Sequence, residues 1–340
     1  MGVLNSQGAS GNYWADKPIH RILVYTEHGL TPGVVEAFFR EVECEAVYDP
    51  FVGSGTVGVE ALLRGRRFVG VDANPAAVIT AAAKVAPETH AALRPDPRLA
   101  NYYRGDVYEK LLRLSRRVHT ALEAGVLFNV ARRFSRFKYS PAPRFRGGEA
   151  RGDPEEYFKT LLRAAKEDLK LLGGRRGDVV LGDSTWLMPR RVCGVLTSPP
   201  FANNVDYVRH TQIELLWLGV DPPRARDLQL PACEAAARSW KLHMPLDVKP
   251  GGRRARGYQR FLSQYLYYMR RHIHLLAQRL EAEAWYTIGD SVLGDVYVPL
   301  HEILAKFGEE AGLRVSLVDL GERRAKKGRR LYLLKFRPRR

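Results

Sequence analysis

Cysteine is scarce: Cys44, Cys193 and Cys233 are the three in 340 residues, and no metal-ligand spacing relates them. That argues against a disulfide framework and against a zinc cluster and suits a reducing cytosol, so a cytoplasmic enzyme is expected. No run of about 18 apolar residues occurs, so no transmembrane helix is expected. Nor does any long basic amphipathic stripe point to a membrane surface. Met1 to Lys17 is polar, with Gly and Ser, and lacks the apolar core of a signal peptide. Asn and Gln are few while Arg is abundant, which is compatible with a thermophilic source. Acidic residues are in deficit, 37 Asp and Glu against 54 Lys and Arg, for a formal net charge of +17. Such an excess favours a polyanionic partner, usually nucleic acid; adaptation for solubility or heat is the alternative. What the chain does have is apolar mass: 45% hydrophobic residues are ample for a buried core. The length suggests one large domain with insertions, or one domain plus a smaller one.

The clearest strand–turn–helix signal begins at Ala46. Ala46 to Phe51 reads as a short buried strand, Gly53-Ser54-Gly55 as a tight turn, and Val57 to Arg64 as a helix closed by Gly65. A second strand, Arg67 to Asp72, and an alanine-rich helix, Pro75 to Val85, complete a unit that predicts a parallel, doubly wound sheet. The stretch from residue 91 to 176 then reads as a basic helical insertion, with helices near Tyr108–Glu123 and Glu155–Leu172 and a loop from Pro141 to Gly152. Strands resume at Asp178–Asp183 and Val192–Thr197, followed by a helix around Thr211–Leu218. A second insertion covers 221–257. Helix Tyr258–Leu280, strand Ala284–Ile288, helix Leu300–Ala311 and strands Arg314–Val318 and Leu331–Phe336 end the chain, the last two as a hairpin at the sheet edge. In this division 1–90, 177–220 and 258–340 are parts of one sheet domain.

Asp49 to Gly55, Asp72, Asp183 and Ser198 to Phe201 all lie at or just beyond predicted strand C-termini, where open parallel sheets bind ligands. Gly53 and Gly55 allow backbone to approach a ligand, and the helix that follows aims N–H groups and partial positive charge at it. A purely structural turn is the alternative. Asp72 is placed either to accept hydrogen bonds from ribose hydroxyls or to cap the helix at Pro75. In Thr197-Ser198-Pro199-Pro200-Phe201 two prolines stiffen the exit from a strand. The Ser198 hydroxyl and Pro199 carbonyl become acceptors beside the Phe201 ring, which is what an extruded base with an amino group needs. Arg132, Arg133, Arg136 and Lys138 interleave with Phe134, Phe137 and Tyr139. They are candidates for phosphate and base contacts, or a solvated helix face above core aromatics.

Asp49-Pro50-Phe51-Val52-Gly53-Ser54-Gly55-Thr56 with Gly70-Val71-Asp72-Ala73-Asn74-Pro75 resembles the cofactor motif of amino-type (cytosine-N4/adenine-N6) DNA methyltransferases, and Thr197 to Phe201 resembles their catalytic motif. The continuation Ala202 to Tyr207 and Glu214 to Gly219 is similar to archaeal members, and His28 to Pro32 before helix Val34–Arg40 loosely resembles the upstream cofactor motif. The resemblance implies a Rossmann-like S-adenosylmethionine-dependent methyltransferase sheet, mostly parallel with an antiparallel edge hairpin and helical insertions. It implies S-adenosyl-L-methionine held by Asp49, Phe51, Gly53, Ser54, Gly55, Asp72, Asn74 and Asp183, and catalysis by Ser198, Pro199, Pro200 and Phe201, with no metal. The Ser-Pro-Pro form looks like the cytosine-N4 branch, adenine-N6 and RNA base methylation being the rivals. Duplex DNA with its target base flipped out is then the implied partner; whether a cognate restriction endonuclease accompanies it stays open. Two features depart from the pattern: Phe201 stands where the family usually has Tyr, and the interval from Asp72 to Asp183 is longer than an uninterrupted sheet domain needs.

Overall fold

The computed structural model describes residues 14, 17–20, 30–138, 144–145, 150–237, 244–322 and 329–339. Local punctuation sets the first elements. α1 (Pro32–Glu41) opens on a proline, whose missing N–H would be unsatisfied in a first turn anyway. β1 (Ala46–Asp49) is buried along most of its length. α2 (Thr56–Leu63) starts beyond Gly55 at φ +77°, and Gly65 at φ +72° ends it. β2 (Arg67–Asp72) leads into α3 (Pro75–Val85), which Asn74 caps. α4 (Gly105–Ser115) and α5 (Ala121–Phe134) replace the single helix expected over Tyr108–Glu123. Thr120 and Glu123 form a reciprocal capping box that starts a new helix there. Arg132, Arg133 and Phe134 are therefore the last turn of α5. β3 (Phe137–Lys138) pairs with β4 (Arg144–Phe145), and α6 (Pro154–Leu169) closes the insertion. Most of the expected 141–152 loop, and Tyr139, lie outside the described residues.

β5 (Asp178–Leu181) and β6 (Val192–Thr197) return to the sheet, followed by the short helices α7 (Tyr207–His210), α8 (Gln212–Trp217) and α9 (Pro222–Leu228). Then come α10 (Ala255–Ala277), β7 (Leu280–Gly289), a small hairpin of β8 (Ser291–Leu293) and β9 (Val296–Val298), α11 (Leu300–Glu310), β10 (Leu313–Glu322) and β11 (Arg330–Pro338). Seven strands make one sheet in the order β10-β11-β7-β6-β1-β2-β5. β5, β2, β1, β6 and β7 run parallel, while β11 is antiparallel to both β7 and β10. The Rossmann-like, mostly parallel sheet with its antiparallel hairpin is as expected. One detail differs: the reversed strand β11 is second from the edge, and β10 outside it runs with the parallel set.

Alternate residues of the strands feed two cores. Tyr48, Val195, Tyr286 and Leu334 face α10 and α11, whereas Val47, Leu196, Trp285 and Leu333 face α1 and α2. A third core joins α4, α5 and α6 to α8 through Leu111, Leu127, Phe128, Phe134 and Trp217. The cysteine reading needs correcting. Cys44 and Cys193 form a disulfide with Cα atoms 5.7 Å apart. Nothing in their separation of 149 residues signals it, but the parallel pairing of β1 with β6 aligns Val47 with Gly194 and so brings the two together. The inference from cysteine usage to a reducing compartment does not survive this bond. Cys233 is free and buried. No helix among the described residues is long and apolar enough to cross a membrane.

Candidate active site

From β1 the chain moves outward through β2 to β5, then returns to β6 on the other side of β1 and continues to β7. The reversal falls between β1 and β6, and the carboxyl edge there is where doubly wound sheets hold ligands in a crevice. Asp49, Asp72, Asp183 and Ser198 stand at or just beyond the ends of four of these strands.

Asp49 is 3% exposed. Its Oδ1 accepts hydrogen bonds from Thr197 Oγ1 at 2.6 Å and from the Phe51 N–H at 3.1 Å. Burial nevertheless pushes its carboxyl up to about 7, because desolvating the anion outweighs two hydrogen bonds. Asp72 ties the glycine turn to β2: its Oδ2 accepts from the Gly53 N–H and its Oδ1 from the Asn74 N–H, both at 2.9 Å. Its carboxyl is likewise raised, to about 6, by burial. Gly55 is fixed by space as well as by its left-handed backbone, since a Cβ there would lie 3.0 Å from Ala81 Cα and Cβ. Ser54 Oγ bonds Thr56 Oγ1 at 3.1 Å, and no side chain caps the first turn of α2. Asp183 accepts the Thr185 N–H at 2.8 Å, forming a tight turn after β5. Beyond β6, Pro199 is buried, while Ser198, Pro200 and Phe201 are half-exposed at the crevice edge, Phe201 packed against the α10-side core.

Two expected contacts turn inward. Asn74 is fully buried: its Oδ1 accepts the Ala76 N–H at 3.0 Å as the cap of α3, and its Nδ2 donates to Thr211 Oγ1 at 3.0 Å. The cap offered for Asp72 thus belongs to Asn74, whose amide is engaged inside the fold and not presented to a ligand. Arg132 is not a surface cation either. Its Nε donates to Glu214, which is 2% exposed, and its Nη2 to the His210 carbonyl at 3.0 Å, fastening α5 to α8. Removing either partner would strand a buried charge, so the pair is structural. Arg133, Arg136 and Lys138 stay exposed on the insertion, Arg133 with its guanidinium 4.6 Å from the Tyr157 ring centre. Phe134 and Phe137 are core. These cations are carried by α5, β3 and the link between them, within the insertion.

His272, on α10, was not legible as part of the site. It is fully buried under Phe51, ring centres 5.2 Å apart. Its Nδ1 lies 3.0 Å from the Ser184 carbonyl and its Nε2 2.7 Å from the Tyr286 hydroxyl. A carbonyl only accepts, so Nδ1 carries the proton and Nε2 accepts from Tyr286. Burial holds the imidazole neutral by lowering its pKa to about 4. Among the described residues no group of three or more His, Cys, Asp or Glu is placed to hold a metal ion.

No family model matches the chain, and no curated protein matches it. Solved structures similar to it include a protein of Pyrococcus horikoshii provisionally named an RNA methyltransferase (12% identity, 92% of this chain and 88% of that one, TM-score 0.37). The rRNA methyltransferase AviRa of Streptomyces viridochromogenes (12%, 99% and 90%, TM-score 0.33) is another. A third is an S-adenosylmethionine-dependent methyltransferase of Methanosarcina mazei (8%, 91% and 98%, TM-score 0.34). Likenesses this distant leave substrate and reaction to be decided by the chain's own residues.

Proposed function

We propose that this chain is an S-adenosylmethionine-dependent methyltransferase acting on the exocyclic amino group of a nucleic-acid base, cytosine N4 in DNA. The observation that carries the reading is the convergence of Asp49, the Gly53–Gly55 turn, Asp72, Asp183 and Ser198–Phe201 on one crevice at the switch point of the sheet. The residues fit the cofactor. Asp49 is a buried carboxyl whose ionisation is suppressed by desolvation, and a methionine ammonium group beside it would favour the anion. Gly55, in its left-handed conformation and packed tightly on Ala81, holds the turn into α2, whose uncapped first turn suits a carboxylate. Asp72 and Asp183 would face ribose and adenine. When bound, the cofactor supplies an electrophilic methyl group for direct transfer.

The remaining work falls to the chain. The lone pair of a base amino group is delocalised into the ring, so the nitrogen is a poor nucleophile until it pyramidalises. Ser198 Oγ and the Pro199 carbonyl accept hydrogen bonds from the two amino N–H groups and favour that geometry in the transition state. The nitrogen sheds one of those protons to solvent once it carries the methyl group. Phe201 holds the face of the base, offsetting the few kcal/mol that unstacking costs. No cysteine nucleophile is required: Cys233 is buried, and Cys44 and Cys193 are bonded to each other.

The test is transfer of labelled methyl to three substrates, a duplex with one target cytosine, an adenine-only duplex and tRNA, followed by nucleoside analysis. N4-methylcytosine that falls at least about a hundredfold in Ser198→Ala is expected, the size of effect seen when one transition-state hydrogen-bond partner is removed. N6-methyladenine would overturn the base assignment, and product confined to tRNA would overturn the polymer.

A further inference from the structure

The connection from Asp183 to Arg191 follows β5, an edge strand, and has little regular structure to hold it. α10 holds it instead. The Arg271 Nε–H donates to the Thr185 carbonyl at 3.1 Å, and the next residue, His272, donates from Nδ1 to the Ser184 carbonyl at 3.0 Å. Arg279, just past the end of α10, donates to the Met188 and Pro189 carbonyls. The Arg271 guanidinium lies over the Trp186 ring. From the same ring, His272 reaches Tyr286 of β7 and supports Phe51, which follows β1. One helix position therefore fixes both the turn carrying Asp183 and the ring beside the glycine turn.

We infer that Arg271 and His272 are positioning residues that set the cofactor-side wall of the crevice, acting on bound cofactor through the Ser184–Thr185 carbonyls and the Phe51 ring. This rests on the reading of the crevice as a cofactor site. Neither residue is required by the chemistry of methyl transfer: their effect is on where Asp183 and Phe51 stand. The neutral imidazole is suited to the task, since it donates from one nitrogen and accepts at the other without bringing a charge under the crevice. Groups supporting a site in this way are what hold contacting residues within tolerance.

The experiment measures binding of S-adenosylhomocysteine by calorimetry, together with kcat and melting temperature, in wild type, His272→Phe, His272→Gln and Arg271→Met. Gln retains an N–H donor and an oxygen acceptor, whereas Phe keeps only the ring volume. The inference expects His272→Phe to weaken binding by about tenfold, the equivalent of one hydrogen bond, with Gln recovering most of it. Arg271→Met should lose several-fold with its melting temperature retained, because that guanidinium is half-exposed; this keeps the test open if His272→Phe fails to fold. At saturating cofactor kcat should stay within about twofold, as a loss confined to binding requires. Equal losses in Gln and Phe, or unchanged affinity in Arg271→Met and His272→Phe, would overturn the inference while leaving the cofactor reading intact. A wild-type chain that binds no S-adenosylhomocysteine would overturn both.

Discussion

Asp49 is the residue at which folding and the proposed cofactor binding pull in opposite directions. Its carboxyl titrates near 7 in the fold against an ordinary 3.8, and Asp72 near 6. Between those values the native chain holds protons the unfolded chain has lost, so stability falls as pH rises from about 4 to about 7. A ligand ammonium group on Asp49 acts in the opposite sense, because it pairs only with the anion. Affinity for S-adenosylhomocysteine should therefore rise by up to about tenfold per pH unit as pH climbs towards 7, then level off. Asp49→Asn should bind weakly with a flat profile over the same range. Calorimetric titrations from pH 5.5 to 8.5 decide it, and a variant that keeps the wild-type slope would assign the titration to another group. The strand-end placement of Asp49, Gly53, Gly55, Asp72 and Ser198 is legible in the sequence because each belongs to a short contiguous pattern there. The inward cap made by Asn74 also has a sequence signal: it directly precedes Pro75 and so holds the position from which a side chain reaches the second helical N–H. His272 had no such signal: its partners lie 88 and 14 positions away.

At the scale of elements, the βα units were legible down to α3, whose span matches the Pro75–Val85 helix read from its alanine run. Two errors had usable signals. Thr120 with Glu123 is a capping box that divides α4 from α5, and Gly294-Asp295 between Leu293 and Val296 is a two-residue hairpin turn joining β8 to β9. The Arg132–Glu214 and Cys44–Cys193 links had none, because only the packing of α5 on α8 and of β1 beside β6 brings them together. The disulfide joins the residues leading into β1 to the start of β6, the two strands that flank the crevice. It closes a loop across 149 positions, and the entropy removed from the unfolded chain corresponds to at most about 5 kcal/mol. The Cys44→Ser/Cys193→Ser double variant should therefore unfold at a lower guanidinium concentration than the oxidised wild type. Adding a reductant should bring wild type down to the variant and leave the variant unmoved. Coincident midpoints throughout would show that the bond adds no equilibrium stability.

For the whole molecule, net charge and site geometry make separate claims. A charge of +17 raises affinity for any polyanion, whereas in the proposed function the crevice would decide which base reacts. Salt dependence separates them, since each phosphate neutralised contributes about −0.9 to the slope of log affinity against log salt on duplex DNA, and about −0.7 on a single strand. Arg133, Arg136 and Lys138 are exposed on the insertion while Arg132 is held by buried Glu214, so neighbours in sequence should behave oppositely. Changing the exposed three to Gln should weaken nucleic-acid binding, flatten the slope by up to about 2.7 on duplex DNA, and leave the melting temperature near wild type. Arg132→Gln should instead lower the melting temperature, with a loss of about 3 kcal/mol for a broken buried pair, and leave the slope of the folded fraction unchanged. Filter binding across a salt series, run beside thermal melts, reads both. If the triple variant keeps the full slope, the insertion's exposed cations lie away from the phosphate track, and the next candidates are the two further basic runs of the sequence, Lys249 to Arg256 and Arg323 to Arg330.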